Sequence, residues 1–139
     1  MIKNIVFNQT TYNGNKFKSE KLIYKTLKKS QKINNKKNFK ELFKTAIVNS
    51  SPIFYIKTIK RKRKNSIEFP FMLSKNLRVS YGLKFIIHNS NFLKNSSFYY
   101  KLNNELTDSC KKLSKSFKKK ETIYKDAFIK KKFSNYRWF

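Results

Sequence analysis

The apolar and polar positions between residues 51 and 73 predict a β-hairpin. The run IEFPFML, at 67–73, alternates strictly, so its aromatic and β-branched side chains share one face, as in a half-buried strand. The preceding run PIFYIKTI alternates less regularly, because Lys57 interrupts its apolar face. Pro70 has no amide hydrogen to donate, which favours a two-stranded ribbon over a central strand. We therefore expect one isolated hairpin at about residues 52–73.

Apolar residues recur at helical spacing on both sides of this hairpin. Six helices are predicted, at residues 2–12, 20–30, 39–48, 76–89, 98–113 and 121–138. Ser19 and Asn38 are predicted to cap the second and third of them, and the stretch SKSFKKK at 114–120 is predicted to be a basic connection. Leu113 is expected to continue the buried stripe of the fifth helix, and Phe128 to point inward from the last one.

These elements predict a mainly α fold, in which a single-domain bundle of about six helices carries one protruding β-hairpin between the third and fourth helices. A chain of 139 residues has the length of one domain. No internal repeat and no shift in composition divides it, so we expect residues 1–139 to form a single domain.

The charge of the chain says more about the class of its binding partner than its apolar pattern does. Lysine and arginine number 34 against 7 acidic residues, which gives a net charge of +27 and predicts a polyanionic partner. A single histidine and the lone Cys110 leave no histidine pair and no multi-cysteine metal site, so we expect no enzyme and no cofactor. No apolar run reaches the roughly 18 residues of a membrane-spanning helix.

The candidate RNA-binding residues are basic side chains on and beside the hairpin, after the Gly14 turn and near the last helix. They are Lys16, Lys18, Lys57, Lys60, Arg61, Lys62, Arg63, Lys64, Lys75, Arg78, Lys84, Lys115, Lys118, Lys119, Lys120, Tyr136 and Arg137. Consecutive cations repel one another unless a polyanion neutralises them, although each stretch could also be a solvated basic surface. Tyr136 and Arg137 could stack on a base and hold a phosphate, whereas Trp138 is expected mainly to pack on the bundle.

Several stretches resemble the small-subunit ribosomal protein seven family of the bacterial and organellar type. KLNNELTDSC, at 101–110, is similar to that family's R-L-A-N-E-L-x-D-A segment, and FKKKETIYKDAFIKKKFSNYRW, at 117–138, is similar to its ending. IEFPFML and LRVSYGLKFII resemble its second ribbon strand and the helix that follows. The turn KRKNS, at 62–66, replaces the family's R-V-G-G and is one residue longer.

The resemblance implies a helical bundle with a β-ribbon that binds the three-prime major domain of small-subunit rRNA and helps to assemble the head. It also implies neighbouring ribosomal proteins as partners and a ribbon near the exit-site tRNA and the messenger path. Lysine, asparagine, isoleucine and phenylalanine are abundant, and their codons are AT-rich, which suggests an AT-rich organellar genome; we therefore expect a mitochondrial location, with the plastid as the alternative. An architectural DNA-binding protein with β-ribbon arms, of the histone-like class, is the other function that a basic ribbon on helices fits.

Overall fold

The computed structural model of the protein describes residues 2–11, 13–33, 38–61, 64–92 and 97–136. Its helices are α1 (Ile2–Thr10), α2 (Lys16–Ile33), α3 (Phe39–Ser50), α4 (Lys75–Asn91), α5 (Phe98–Cys110) and α6 (Lys115–Ile129), followed by a 3-10 helix at Lys131–Tyr136. Strands β1 (Phe54–Arg61) and β2 (Lys64–Met72) form an antiparallel ribbon between α3 and α4. The mainly helical fold with one hairpin in this place is therefore confirmed.

The ribbon has the alternation that its sequence predicts. Phe54 pairs with Met72, and the register continues to Ile59 and Ile67 before an irregularity near the tip. Phe69 is buried on one face of β2, while Met72 on the other face is half-exposed. β1 and β2 form a two-stranded sheet, so β2 has one edge without a partner strand. A proline, which has no amide hydrogen to donate, is tolerated in such an edge strand.

The core is built around α5, which packs on α2, α3 and α4. One apolar cluster consists of Leu42, Ala46, Ile86, Leu102 and Leu106, and Leu106 is only 1% exposed. A second cluster joins α1, α3 and α4. The predicted apolar faces of these helices therefore meet one another, while β1 contacts α6 and β2 contacts the 3-10 helix.

The predicted boundaries of α2 and α6 were wrong. The stretch 114–120 is not a connection, because α6 begins at Lys115, where the Ser114 side chain caps the helix by accepting from the Phe117 amide at 3.1 Å. The α-helix ends at Ile129 and not near the predicted residue 138, and a separate 3-10 helix follows at Lys131–Tyr136. Trp138 lies outside the described residues. Ser19 is buried inside α2 and is not its cap, because the helix starts three residues earlier and the Asn15 side chain accepts from the Lys18 amide.

Two side chains predicted to be buried are exposed. Leu113 is 70% exposed, because α5 ends at Cys110 and Lys112 adopts a left-handed conformation (φ 61°) that takes Leu113 off the helical stripe. Phe128 is 77% exposed, because the buried face of α6 passes through Ala127 and the next residue is turned about 100° away from it.

A buried polar network joins α4, α5 and α6. Glu105 of α5 is 4% exposed, and its Oε1 accepts from the Ser116 amide at 3.1 Å and from the Ser116 hydroxyl at 2.6 Å. The side-chain amide of Asn89 donates from Nδ2 to the Ser116 hydroxyl at 3.1 Å. Because the carboxylate faces the first turn of α6, it satisfies an unpaired amide at the positive end of the helix dipole. Glu105 therefore holds the start of α6 against α5.

We expect Glu105→Ala to lower the free energy of unfolding by about 1.5–3 kcal/mol, because it removes hydrogen bonds to a charged group and leaves buried donors unpaired. Urea unfolding of the variant measures this change. Glu121→Ala, an exposed acidic position on α6, is the control, and equal losses in the two variants would contradict a capping role for Glu105.

Candidate nucleic-acid interface

Three aromatic rings connect the ribbon to α4. Tyr55 of β1 lies on Tyr81 of α4 with ring centres 4.6 Å apart, and Tyr81 approaches Phe85, one turn further on, at 6.3 Å. On the far side, the Lys119 ammonium of α6 stands 5.1 Å from the centre of the Phe85 ring. We call Tyr55, Tyr81 and Phe85 the aromatic row, and it brings the ribbon, α4 and α6 to one surface.

Exposed cations stand along the aromatic row. Lys57 follows Tyr55 by two residues and so shares its face of β1, and Lys84 follows Tyr81 by three residues and so shares its face of α4. Lys115 lies one helical turn before Lys119 on α6. These four lysines, called the basic face below, come from three different elements and are all exposed. Lys118 is also exposed on α6, beside this face.

The ribbon carries further candidates at both of its ends. Lys60 is exposed near the end of β1, where Arg61 is the last residue, and Lys64 begins β2. Lys62 and Arg63 of the tip lie outside the described residues. At the base, Lys75 is the exposed first residue of α4. Half-buried Arg78 donates from Nε to the Leu73 carbonyl at 2.8 Å, which joins α4 to the residue that follows β2.

Lys120 differs from its lysine neighbours because it is half-buried. Its ammonium donates to the Asn49 carbonyl of α3 at 3.0 Å and lies 5.7 Å from the centre of the Tyr124 ring. Burial lowers the pKa of Lys120 below its ordinary value, the positive charge of Lys112 lowers it further, and Glu121 partly opposes both effects. This side chain is therefore engaged with the protein body.

The lowered pKa of Lys120 predicts a pH dependence of stability. The folded protein releases this proton at a lower pH than the unfolded chain, so the contribution of Lys120 to stability rises with pH up to about 10.5. We expect Lys120→Met to lose that increment in urea unfolding between neutral pH and pH 10. Lys125→Met, at an exposed position of α6, controls for the loss of one positive charge. Parallel stability curves for the wild type and Lys120→Met would contradict the assignment.

The remaining candidates lie elsewhere on the molecule. Lys16 and Lys18 are exposed in the first turn of α2, which packs against α1, α3 and α5. Tyr136 ends the 3-10 helix, and Arg137 lies outside the described residues. The structure therefore brings together the ribbon, α4 and α6 candidates, and it places the α2 pair on an element of its own.

Sequence reasoning found the lysines of the basic face but missed the aromatic row. The spacing Tyr-x-Lys in β1, together with Tyr-x-x-Lys in α4, was the signal, because each tyrosine shares a face with a lysine. Within the described part of the chain, no three histidine, cysteine or acidic residues are grouped so that they could hold a metal ion. In the same ranges, no helix is both long and apolar enough to cross a bilayer.

Comparison with known proteins identifies the family. Residues 1–131 match the family described as ribosomal protein S7p/S5e. The chain is 34% identical over 134 residues to the small ribosomal subunit protein uS7c of Euglena gracilis. This aligned region covers 96% of this chain and 84% of the relative. It is 27% identical over 137 residues to the uS7 protein of Koribacter versatilis, which covers 99% of this chain and 87% of the relative.

The matched region includes every helix and both strands that the structure describes, up to the first residue of the 3-10 helix. The resemblance inferred from the segments around residues 101–110 and 117–138 is thereby confirmed. The chain belongs to the ribosomal protein S7p/S5e family, and it is a small-subunit ribosomal protein, a structural constituent and not an enzyme.

Proposed function

We propose that the protein binds the three-prime major domain of small-subunit rRNA and helps to assemble the subunit head. The observation that carries this proposal is the basic face, where Lys57, Lys84, Lys115 and Lys119 surround the aromatic row on three elements. Lysines neutralise phosphates and release counterions, and the half-buried rings of Tyr55 and Tyr81 beside them can stack on bases that leave a helix. Folded RNA offers both kinds of partner to one surface.

The ribbon extends this interface away from the body. Its described tip residues are Lys60, Arg61 and Lys64, and Lys62 and Arg63 lie between the strands in the sequence. We propose that these cations contact rRNA phosphates and that the ribbon lies near the exit-site tRNA and the messenger path. Lys16, Lys18, Lys75, Arg78, Lys118, Lys120, Tyr136 and Arg137 are proposed as further rRNA contacts. Neighbouring proteins of the head are proposed to cover other parts of the same chain.

Competition binding separates this function from that of a histone-like DNA-binding protein. Ribbon arms of that class insert an apolar wedge into the minor groove, whereas Pro52 and Pro70 both lie away from the tip in this chain. We expect a transcript of the three-prime major domain to displace the protein from duplex DNA of equal length at equal salt. Preferential retention on the duplex would contradict the proposal.

We propose that the subunit is that of a mitochondrial ribosome. The support is the amino-acid composition. The chain is rich in lysine, asparagine and isoleucine, and an AT-rich genome favours the codons of these residues. A relative named uS7c makes the plastid the alternative. Antibody detection in purified organelles, followed by sedimentation with the small subunit after a high-salt wash, tests both parts of the proposal. Co-sedimentation from mitochondria supports it, and co-sedimentation from plastids alone contradicts the mitochondrial location.

A further inference from the structure

Two polar contacts connect the ribbon to the C-terminal segment. At the base of the ribbon, the Ile53 amide donates to the Tyr124 hydroxyl of α6 at 2.9 Å, and the Tyr124 ring meets Phe54 edge-on at 6.2 Å. Further out on the ribbon, Glu68 of β2 forms an ion pair with Lys130, the residue that directly follows α6. The first contact joins the ribbon to α6, and the second joins it to the turn between α6 and the 3-10 helix.

An open groove lies between the same two parts of the molecule. It has a volume of about 860 Å³, and Phe54, Pro70 and Met72 of the ribbon face Phe128 and Asn135 of the C-terminal segment across it. Met72 is 49% exposed and Phe128 is 77% exposed, so side chains do not fill the space between them. Packing across this groove is therefore incomplete, and the two polar contacts restrain the ribbon on this side together with the contacts of β1 with α6 and of β2 with the 3-10 helix.

The distance between the two contacts determines whether they can fix the direction of the ribbon. Thr58, the partner of Glu68 across the ribbon, lies five residues beyond Ile53, which places the contacts about 16 Å apart along the strand. A rod attached at two separated points has a fixed direction, whereas a rod attached only at its base can pivot. The basic tip lies beyond the outer contact, so a small rotation about the base moves the tip cations most.

We propose that Glu68, Lys130 and Tyr124 are positioning residues that aim the basic tip of the ribbon at the RNA backbone. This inference rests on the proposed rRNA binding, to which it adds what sets the direction of the ribbon. Glu68 is an acidic residue on a ribbon whose partner is a polyanion, so its own charge opposes binding. Its benefit lies in the pairing with Lys130, which holds the ribbon in place.

Glu68→Gln gives a test in which charge and position predict opposite results. The change raises the net charge from +27 by one, so electrostatics alone predicts tighter binding to RNA. Loss of the outer contact predicts weaker binding, by about fivefold, which is the most that an exposed ion pair contributes. Glu20→Gln is the matched control, because Glu20 is exposed on α2 and the change in net charge is the same. Affinity is measured against a transcript of the three-prime major domain.

We expect Glu20→Gln to bind as tightly as the wild type or tighter, and Glu68→Gln to bind more weakly than both. The loss should disappear in a Lys60→Gln/Arg61→Gln background, where the tip has fewer cations to aim. The exchange Glu68→Lys/Lys130→Glu keeps the net charge and restores the pair, so it should recover wild-type affinity. If Glu68→Gln binds like Glu20→Gln, or if its loss persists in the neutralised background, the positioning role is overturned.

A distance measurement tests the same point without RNA. Spin labels at Lys60→Cys and Asn104→Cys, with Cys110→Ser, report the position of the ribbon relative to α5. We expect Glu68→Gln and Tyr124→Phe to broaden or shift the distance distribution, and Tyr24→Phe, on the exposed face of α2, to leave it unchanged. Distributions identical to the wild type in both ribbon variants would overturn the proposal. Failure of the wild type to bind the transcript would instead refute the proposed function.

Discussion

Replacing Lys57, Lys84, Lys115 and Lys119 with glutamine should weaken rRNA binding by roughly a thousandfold at about 0.1 M salt. Each phosphate engaged by a lysine contributes about 0.7–0.9 to the slope of log affinity against log salt, so the slope should become shallower by about 3. The effect is large because the four side chains are exposed on one surface and can meet phosphates together. Filter binding or fluorescence anisotropy across a salt series measures both quantities.

The control for this variant removes the same charge from another surface. Lys21, Lys25, Lys28 and Lys32 are exposed on α2, which packs against α1, α3 and α5. Their replacement by glutamine reduces the net charge equally but should change the slope by much less. Equal slopes in the two quadruple variants would show that net charge alone governs binding, and the basic face would have no special role.

Leu106→Ala should lower the free energy of unfolding by about 2–5 kcal/mol. The side chain is 1% exposed and belongs to the cluster in which α3, α4 and α5 meet, so its removal leaves a cavity that the surrounding helices cannot close completely. Urea unfolding at about 0.5 M KCl is suited to this measurement, because salt screens the repulsion among the many lysines.

Leu113→Ala is the matched control for Leu106→Ala. Both leucines lie on one stripe in the sequence, but Leu113 is 70% exposed beyond the end of α5. Its replacement should change stability by less than about 0.5 kcal/mol, as is usual for surface positions. A loss comparable with that of Leu106→Ala would mean that the helix continues to Leu113, contrary to the structure.

The leucine pair shows how far the apolar pattern could predict the fold. Periodicity located the six helices and the ribbon because each of them must bury one face. That requirement produces a regular spacing of apolar residues within the segment itself. It failed at helix ends, where a single backbone conformation decides the outcome. Lys112, with its positive φ, removes Leu113 from the core, and Ser114 starts α6 within a stretch of lysines that looked like a connection. Such events depend on tertiary contacts such as that of Glu105 with Ser116.

The candidate site was predicted in part for the same reason. Clustered cations are visible in the sequence, so the lysines of the basic face could be predicted as candidates, and the structure shows that they are exposed. That Tyr55 meets Tyr81, and that Lys119 lies over Phe85, depends on how the ribbon and α6 pack on α4, which the sequence does not state. The half-buried position of Lys120, directly after the exposed Lys118 and Lys119, likewise follows from the packing of α6 on α3.

The central claim is that ribosomal RNA covers the basic face and the ribbon. A cryo-electron microscopy structure of the small subunit that contains this chain tests it most directly, through the distances from lysine Nζ atoms to phosphate oxygens. We predict that Lys57, Lys84 and Lys119 lie within about 4 Å of rRNA phosphates, the range of a direct ion pair. A subunit in which these lysines face solvent or another protein, with the ribbon away from RNA, would contradict the account.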